Sequence, residues 1–177
     1  AMHCDGAAVL ARVVSTLVEM MTDRGYANVT RAADVFEALE EQLPIVSSDE
    51  ANAFVALESR VGIRTLRAYA ETDRGVVSVS IDGPTSFARR DADVLERGVE
   101  FFTVPMLVQN VTKHRLVPRH VPVPSLPSGV SPDQAPKLLR SDPVCMYYGW
   151  KAGTVVSIER AYGGDQCHTY YRVVCEG

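Results

Sequence analysis

The stretch DPVCMYYGWKAGTVVSIERAY, residues 142–162, carries the clearest local structure signals in the chain. Asp142 is followed by Pro143, and an aspartate before a proline is typical of a helix N-cap and its first turn. Gly149 is the residue type that most often ends a helix, because glycine adopts the left-handed conformation readily. The sequence therefore predicts a short helix between Pro143 and Gly149.

Two strands are predicted after this helix, in residues 154–160 and 169–175, because apolar side chains alternate there with the period of a half-buried strand. Residues 163–165, GGD, predict a turn between them. The end of the chain is therefore expected to form a small antiparallel β-unit. The alternating side chains are Val156 and Ile158 in the first strand and Tyr171, Val173 and Cys175 in the second.

A proline-rich segment precedes this unit. Six of the ten prolines in the chain lie between Pro118 and Pro136. Proline has no N–H to donate and is excluded from helix interiors and central strands. We interpret the segment as an extended linker that lies over a surface.

The N-terminal half predicts three amphipathic helices. Asp5 is expected to cap the first helix and Gly25 to end it. The second helix follows Thr30 and ends at Pro44, and the third ends near Gly75. Their apolar stripes are, in order, Leu10, Val13, Val14, Leu17 and Met21; Ala32, Val35, Phe36, Leu39 and Leu43; and Ile63, Leu66 and Ala70.

Strands are predicted between and after these helices, at residues 53–57, 76–81 and 106–111, with a short helix within residues 89–100. The strand at 76–81 alternates valine and serine, which predicts one buried and one exposed face. The fold class is therefore α+β. We expect an N-terminal α/β domain in residues 1–109 and a small C-terminal α+β domain in residues 110–177.

Composition restricts the function classes. The net charge is −4, from 18 basic and 22 acidic side chains, which argues against a protein that mainly wraps nucleic acid. No apolar run is long enough to span a bilayer, and no secretory signal is recognisable at the start, so neither a membrane partner nor secretion is expected.

Catalytic and metal-binding motifs are not recognisable, so we expect no cofactor and no enzyme activity. A metal site could combine only Cys145, Cys167, His168 and Cys175, and the adjacent Cys167 and His168 suit a strand better than one tetrahedral site. Four reduced thiols, including Cys4, are the favoured interpretation. His114 and His120 are expected to bond to the backbone.

The loop GPTSFARR, residues 83–90, is the one candidate for a polyanion contact. Hydroxyl groups and guanidinium groups both suit phosphate oxygens. The alternative is a solvated turn with surface arginines, which the charge alone favours. The DNA-proximal candidates are Pro84, Thr85, Ser86, Arg89 and Arg90.

Three segments resemble one protein family, the fifth-largest subunit shared by the eukaryotic nuclear RNA polymerases, whose C-terminal half is similar to a small archaeal polymerase subunit. The segments are RVVSTLVEMMTDRGY at 12–26, NVTKHRLVPRH at 110–120, and residues 142–162 followed by TYYRVV at 169–174. VGIRTLRAY at 61–69 agrees more weakly. Two regions are shorter or different here than in the family: residues 43–60, and the proline-rich 122–137 where the family has a charged helix.

The resemblance implies a divergent, non-catalytic structural subunit, in the nucleus or, for a subunit dedicated to the ribosomal RNA polymerase, the nucleolus. Its N-terminal jaw domain is expected near downstream DNA, and its C-terminal assembly domain is expected to dock on the largest subunit and contact other subunits. The partner-docking residues that it implies are His114, Leu116, Val117, Pro118, His120, Asp142, Pro143, Tyr148, Gly149, Trp150, Gly153, Arg160, Tyr171 and Arg172.

Two other function classes stay open from the residues alone. One is a stand-alone nuclear adaptor that uses the same fold. The other is a nuclease-like enzyme, which needs clustered carboxylates and a lysine. The only lysines are Lys113, Lys137 and Lys151, and none has a neighbouring carboxylate pair, which counts against the enzyme.

Overall fold

The computed structural model describes residues 2–95, 98–162 and 166–177. It divides into two compact units, Ala1–Gln109 (unit 1) and Asn110–Gly177 (unit 2). Both units combine helices with a sheet, so the predicted α+β class is confirmed.

Unit 1 contains a five-stranded sheet with the strands in chain order. The first three strands pair antiparallel, and the third, fourth and fifth pair parallel. The parallel part is the α/β portion that the alternating pattern of helices and strands predicted. The strands are β1 (Thr30–Arg31), β2 (Val46–Ser47), β3 (Ala51–Val55), β4 (Gly75–Ser80) and β5 (Val99–Thr103).

The helices that accompany this sheet are α1 (Met2–Asp23), α2 (Val35–Glu40), α3 (Ile63–Tyr69), α4 (Ser86–Ala92) and α5 (Val104–Leu107). Leu66 of α3 and Ala88 and Ala92 of α4 are buried in one cluster, against which Val99 and Phe101 of β5 pack. Helices α3 and α4 therefore cover one face of the parallel strands.

Three predicted helix bounds are wrong. The third helix was expected to end near Gly75 but ends at Tyr69. Asp5 lies inside α1 and does not cap it, because the helix begins at Met2. The second helix is short: Asp34 caps it through bonds from the amides of Phe36 and Glu37, and it ends at Glu40. The apolar stripe expected on this helix is only partly buried, since Phe36 is 57% exposed and Leu43 is 48% exposed.

Two strand predictions in unit 1 also need correction. Every residue of β4 from Val76 to Ser80 is buried, including Ser78 and Ser80, because this strand lies between β3 and β5 and both faces are covered. Residues 106–111 do not form the expected strand: Pro105 lies in the first turn of α5, and the strand is β5, immediately before it.

Unit 2 contains a four-stranded sheet in the order β6-β8-β9-β7. Its long central hairpin is β8 against β9, which pair antiparallel. The helix α6 packs on it through Cys145, which shares a buried cluster with Val156 and Val174. The elements are a 3₁₀ turn (Val111–Lys113), β6 (Arg119–Val123), β7 (Lys137–Leu139), α6 (Pro143–Tyr148), β8 (Val155–Tyr162) and β9 (Gln166–Cys175).

The proline-rich segment is more than a linker. It forms β6, an edge strand in which Pro122 is tolerated because an edge position leaves one backbone side unpaired. The sheet is also mixed and not purely antiparallel, since β7 pairs parallel to β9. The predicted turn at residues 163–165 lies outside the described residues.

In the part of the chain that the structure describes, no helix combines the length and the apolarity needed to cross a membrane.

Candidate functional sites

The predicted loop at residues 83–90 lies where the parallel strands of unit 1 end, but only its first three residues form a loop, because α4 begins at Ser86. The Val61 N–H donates to the Gly83 carbonyl at 3.1 Å, and the Thr85 N–H donates to the Val61 carbonyl at 2.9 Å. Gly83 has φ +78, a conformation that other residues rarely adopt. The loop is therefore held firmly against the connection that precedes α3.

The side chains of this loop differ in what they can contact. The Thr85 hydroxyl caps α4 by accepting a bond from the Ala88 N–H at 3.2 Å, and Pro84 is half-buried. Ser86, Arg89 and Arg90 are exposed. The Arg89 guanidinium also lies 5.7 Å from the centre of the Phe101 ring. Only part of the predicted group is thus available to a phosphate.

An ion pair that the sequence analysis missed joins the two helices beside this loop. Arg67 of α3 donates two hydrogen bonds to Asp91 of α4, at 2.8 and 2.7 Å. These bonds and the charge of Arg67 lower the pKa of Asp91 below its usual value. They also raise the pKa of Arg67.

A second missed pair involves the DRGY segment, residues 23–26. Arg24 donates two bonds to the Glu100 carboxylate, at 2.8 and 2.7 Å, and its side chain is only 2% exposed. Burial opposes its charge, but the hydrogen bond and charge of Glu100 outweigh burial and raise the pKa of Arg24. This segment therefore has a structural role, as it ties the end of α1 to β5.

Unit 2 begins with a polar anchor. The buried Asn110 donates through Nδ2 to the Tyr147 hydroxyl at 2.9 Å and accepts through Oδ1 from the backbone and hydroxyl of Thr112. The segment after it is thereby fixed to α6. Asn110 was not among the predicted site residues; its place in the matched segment was the only signal.

The two histidines of the second segment bond to the backbone, as predicted. His114 Nδ1 accepts from the Leu116 N–H at 3.3 Å, and His120 Nδ1 lies 2.7 Å from the Pro118 carbonyl oxygen. Nδ1 of His114 is therefore an acceptor. Nδ1 of His120 must be the donor, because a carbonyl oxygen can only accept a hydrogen bond. Leu116 is 75% exposed and Val117 is half-buried, so apolar surface remains accessible beside these histidines.

Three aromatic rings cluster at the end of α6. Tyr148 stacks on Trp150 with centroids 4.8 Å apart and meets Tyr147 edge to face at 5.1 Å. Gly149 between them has φ 66 and ends the helix, which begins where Asp142 accepts a bond from the Val144 N–H. Tyr148 and Trp150 are half-buried, while Tyr147 is buried.

The remaining docking candidates do not share one surface. Arg172 lies opposite Val156 and Tyr171 opposite Ser157, and neighbours along a strand face opposite sides of a sheet. The Arg172 guanidinium donates a hydrogen bond to the Lys137 carbonyl at 3.1 Å. The Gly153 N–H donates to the Val174 carbonyl. The structure places two further candidates, Pro143 and Arg160, at exposed positions.

The cysteines of unit 2 are not gathered around one point. Cys145 lies on the buried face of α6 and is 1% exposed, while Cys167 is exposed on β9. Burial, with the nearby charges of Asp142 and Cys175, raises the pKa of Cys145 to about 11. Within the described ranges no three His, Cys, Asp or Glu side chains form a group that could hold a metal ion.

Comparison with known proteins gives one family match and several relatives. The model of the family "RNA polymerase Rpb5, C-terminal domain" matches residues 127–174. A relative in Caenorhabditis briggsae, "DNA-directed RNA polymerases I, II, and III subunit RPABC1", is 25% identical over 202 residues, covering 93% of this chain and 95% of its own length. That alignment is longer than the 177-residue chain, so it contains gaps here.

Two Arabidopsis thaliana proteins are similar at the same level. "DNA-directed RNA polymerases IV and V subunit 5B" is 25% identical over 188 residues, covering 90% of this chain and 86% of the relative. "DNA-directed RNA polymerase subunit 5-like protein 1" is 25% identical over 196 residues, covering 91% and 93%. The relatives thus include both shared subunits and subunits of particular polymerases.

Proposed function

We propose, from the premise that the chain is a divergent member of the Rpb5 family of RNA polymerase subunits, that it is a non-catalytic structural subunit of a nuclear DNA-directed RNA polymerase. The observation that carries this proposal is the likeness to polymerase subunits over nearly the whole length of both chains. It assembles with other polymerase subunits in the nucleus, and with the nucleolar enzyme if it serves the ribosomal RNA polymerase.

Unit 2 is the part that anchors the chain on the largest subunit. The family match lies entirely within this unit. The half-buried Tyr148–Trp150 stack and the exposed Leu116 supply the aromatic and apolar side chains that usually dominate interfaces. A four-stranded sheet with a short helix buries little apolar area by itself, which favours a permanent partner.

The test is to express the chain as two pieces divided between Gln109 and Asn110, in cells that lack the intact chain. Unit 2 should co-purify with the largest subunit, and unit 1 alone should not. The intact chain serves as the reference. Entry of unit 1 alone, with unit 2 left free, would reverse the assignment, and failure of the intact chain to co-purify would point to a stand-alone adaptor.

Unit 1 acts as a jaw beside downstream DNA, with the loop at residues 83–90 towards the duplex. The support is the exposure of Ser86, Arg89 and Arg90 in α4, whose start follows a turn held by backbone bonds. Replacement of Arg89 and Arg90 by alanine should weaken DNA retention by the assembled polymerase most at low salt, because phosphate contacts are screened by salt.

The matched control for that experiment is the double replacement of Arg12 and Arg31, which are also exposed in unit 1. This control removes the same two positive charges, but from residues that are far from residues 83–90 in sequence. DNA retention that is equal in both variants at every ionic strength would count against the loop contact.

The purified chain should also neither cleave nor extend nucleic acid with Mg²⁺ or Mn²⁺ present.

A further inference from the structure

Ser131 is the only serine or threonine of the chain that is followed directly by proline. It lies between β6 and β7 in residues 124–136, which we call the proline loop. Residues 127–134 of this loop are all exposed. The Ser131 side chain is therefore accessible to an enzyme, and Pro132 after it has a fixed φ and no N–H.

The proline loop can open without disturbing the sheet, because its backbone hydrogen bonds are local. The Val130 N–H donates to the Pro127 carbonyl at 3.2 Å. The N–H groups of Gln134 and Ala135 both donate to the Ser131 carbonyl at 3.1 Å. Opening a short exposed segment of this kind costs much less free energy than unfolding a whole unit. An enzyme can thus bind the loop in an extended form while β6 and β7 stay in the sheet.

The charges near the loop suit a phosphate on Ser131. The Lys137 Nζ atom donates to the carbonyl of Pro132, the residue next to Ser131, at 2.6 Å. The Arg172 guanidinium donates to the Lys137 carbonyl at 3.1 Å, so a second cation lies at the start of β7. Within the loop itself Asp133 is the only charged residue. Two cations beside a single carboxylate favour the addition of a dianion.

We propose that Ser131 is a phosphorylation site for a proline-directed protein kinase, and that Lys137 binds the phosphate. Kinases of this class select serine or threonine before proline, because their substrate cleft accepts a residue that has no N–H. The γ-phosphoryl group of ATP forms a bond to the Ser131 Oγ atom, its bond to the bridging oxygen breaks, and ADP leaves. The hydroxyl proton passes to the carboxylate base of the kinase.

The modification would change the chemistry of the loop. It adds about two negative charges to a segment whose one charged side chain is Asp133. Pairing of the phosphate with Lys137 ties the loop to the start of β7. This site goes beyond the proposed structural role and does not depend on the DNA contact.

A kinase assay on the full chain tests the site. A cyclin-dependent protein kinase with ATP and Mg²⁺ should phosphorylate the chain, and mass spectrometry of its peptides should place the phosphate on Ser131. Ser131→Ala should abolish incorporation, and Pro132→Ala, which keeps the hydroxyl, should remove most of it. Ser128→Ala is the matched control, because Ser128 is also exposed in the loop but precedes a glycine. No incorporation, incorporation at another residue, or incorporation that Pro132→Ala leaves unchanged would overturn the proposal.

The chain isolated from its own cells with phosphatase inhibitors should also yield the Ser131 phosphopeptide, and a phosphatase should remove it. Absence of this peptide from both growing and resting cells would contradict the proposal. Co-purification with polymerase subunits, measured on the same sample, reports separately on the proposed function.

Phosphorus NMR tests the role of Lys137. A nearby cation favours the dianion, so the second pKa of the phosphate should be lower in the full chain than in a phosphopeptide of residues 125–136. Lys137→Gln should raise this pKa towards the value in the peptide. Lys151→Gln is the matched control, since Lys151 is also an exposed lysine of unit 2, and it should leave the pKa unchanged. Equal pKa values in chain and peptide, or equal effects of the two variants, would show that Lys137 does not bind the phosphate.

Discussion

Unit 1 and unit 2 are both mixed α and β structures, but they are specified in different ways. Unit 2 is built around local signals, since Asp142 caps α6 and Gly149 ends it with φ 66. Unit 1 is built around pairings between distant residues, of which Arg24 with Glu100 is the most buried that we find among the described residues. The comparison indicates that local sequence is enough to set the bounds of α6, whereas the position of the Arg24 segment depends on a residue far along the chain.

The largest effect that we expect is the loss of the buried ion pair in unit 1. Arg24→Ala leaves Glu100 without its guanidinium partner, and breaking a buried pair from one side commonly costs about 3–5 kcal/mol. Because Glu100 is 38% exposed and regains water, we expect the free energy of unfolding of unit 1 to fall by about 2 kcal/mol. The measurement is denaturant unfolding followed by circular dichroism.

The control is Arg140→Ala in unit 2, which removes an exposed pair with Glu176 and should cost less than about 0.5 kcal/mol. Trp150, the single tryptophan of the chain, reports on unit 2 through its fluorescence. Arg24→Ala should leave the fluorescence transition in place. A shift of that transition equal to the shift in circular dichroism would show that the two units unfold as one.

The second effect concerns the anchor of unit 2. Asn110→Ala removes the bond to the Tyr147 hydroxyl and both bonds from Thr112, and should lower the stability of unit 2 by about 1–2 kcal/mol. Tyr147→Phe removes only the first of these bonds and should cost about 1 kcal/mol. The Trp150 fluorescence transition measures both, and equal losses would mean that the Thr112 bonds contribute nothing.

These comparisons also explain how much of the fold could be predicted from sequence. The bounds of α6 followed from Asp142, Pro143 and Gly149, because caps and stops act within a few residues. Burial of Ser78 and Ser80 could not be predicted from alternation, because a central parallel strand is covered on both faces whatever its pattern.

The candidate sites were predicted less completely than the fold. Thr85 was expected to offer its hydroxyl to phosphate, yet that hydroxyl caps α4. Tyr171 and Arg172 belong to one matched segment but face opposite sides of the sheet. A matched motif shows which residues a family uses, while the backbone decides whether each side chain fills the core, caps a helix or remains exposed.

Unit 2 contains a buried thiol whose titration should lower its stability at alkaline pH. The pKa of Cys145 is raised from 9.0 to about 11, first by burial and then by the charges of Asp142 and Cys175. Between these values the unfolded chain binds fewer protons at this thiol than the folded chain, so the stability of unit 2 should fall as the pH rises from 9 to 11. Cys145→Ala should flatten this slope, and the exposed Cys167→Ala should not.

The smallest effect is expected at Ser78, and its sign is the informative part. The Ser78 Oγ atom is buried and has no hydrogen-bond partner among the described residues, and an unpaired buried hydroxyl costs about 1–3 kcal/mol in mutational data. Ser78→Ala keeps the β-carbon in its place in β4 and removes only this atom. We therefore expect the free energy of unfolding of unit 1 to rise by between zero and about 1 kcal/mol, since the small void that remains offsets part of the benefit.

Ser48→Ala is the matched control, because Ser48 is equally buried but its hydroxyl donates to the Ala51 carbonyl at 3.0 Å and accepts from the Ala51 N–H. That variant should lose about 1 kcal/mol. Circular dichroism in denaturant measures both variants, and a loss of stability in Ser78→Ala as large as that in Ser48→Ala would mean that the Ser78 hydroxyl has a partner in the folded protein.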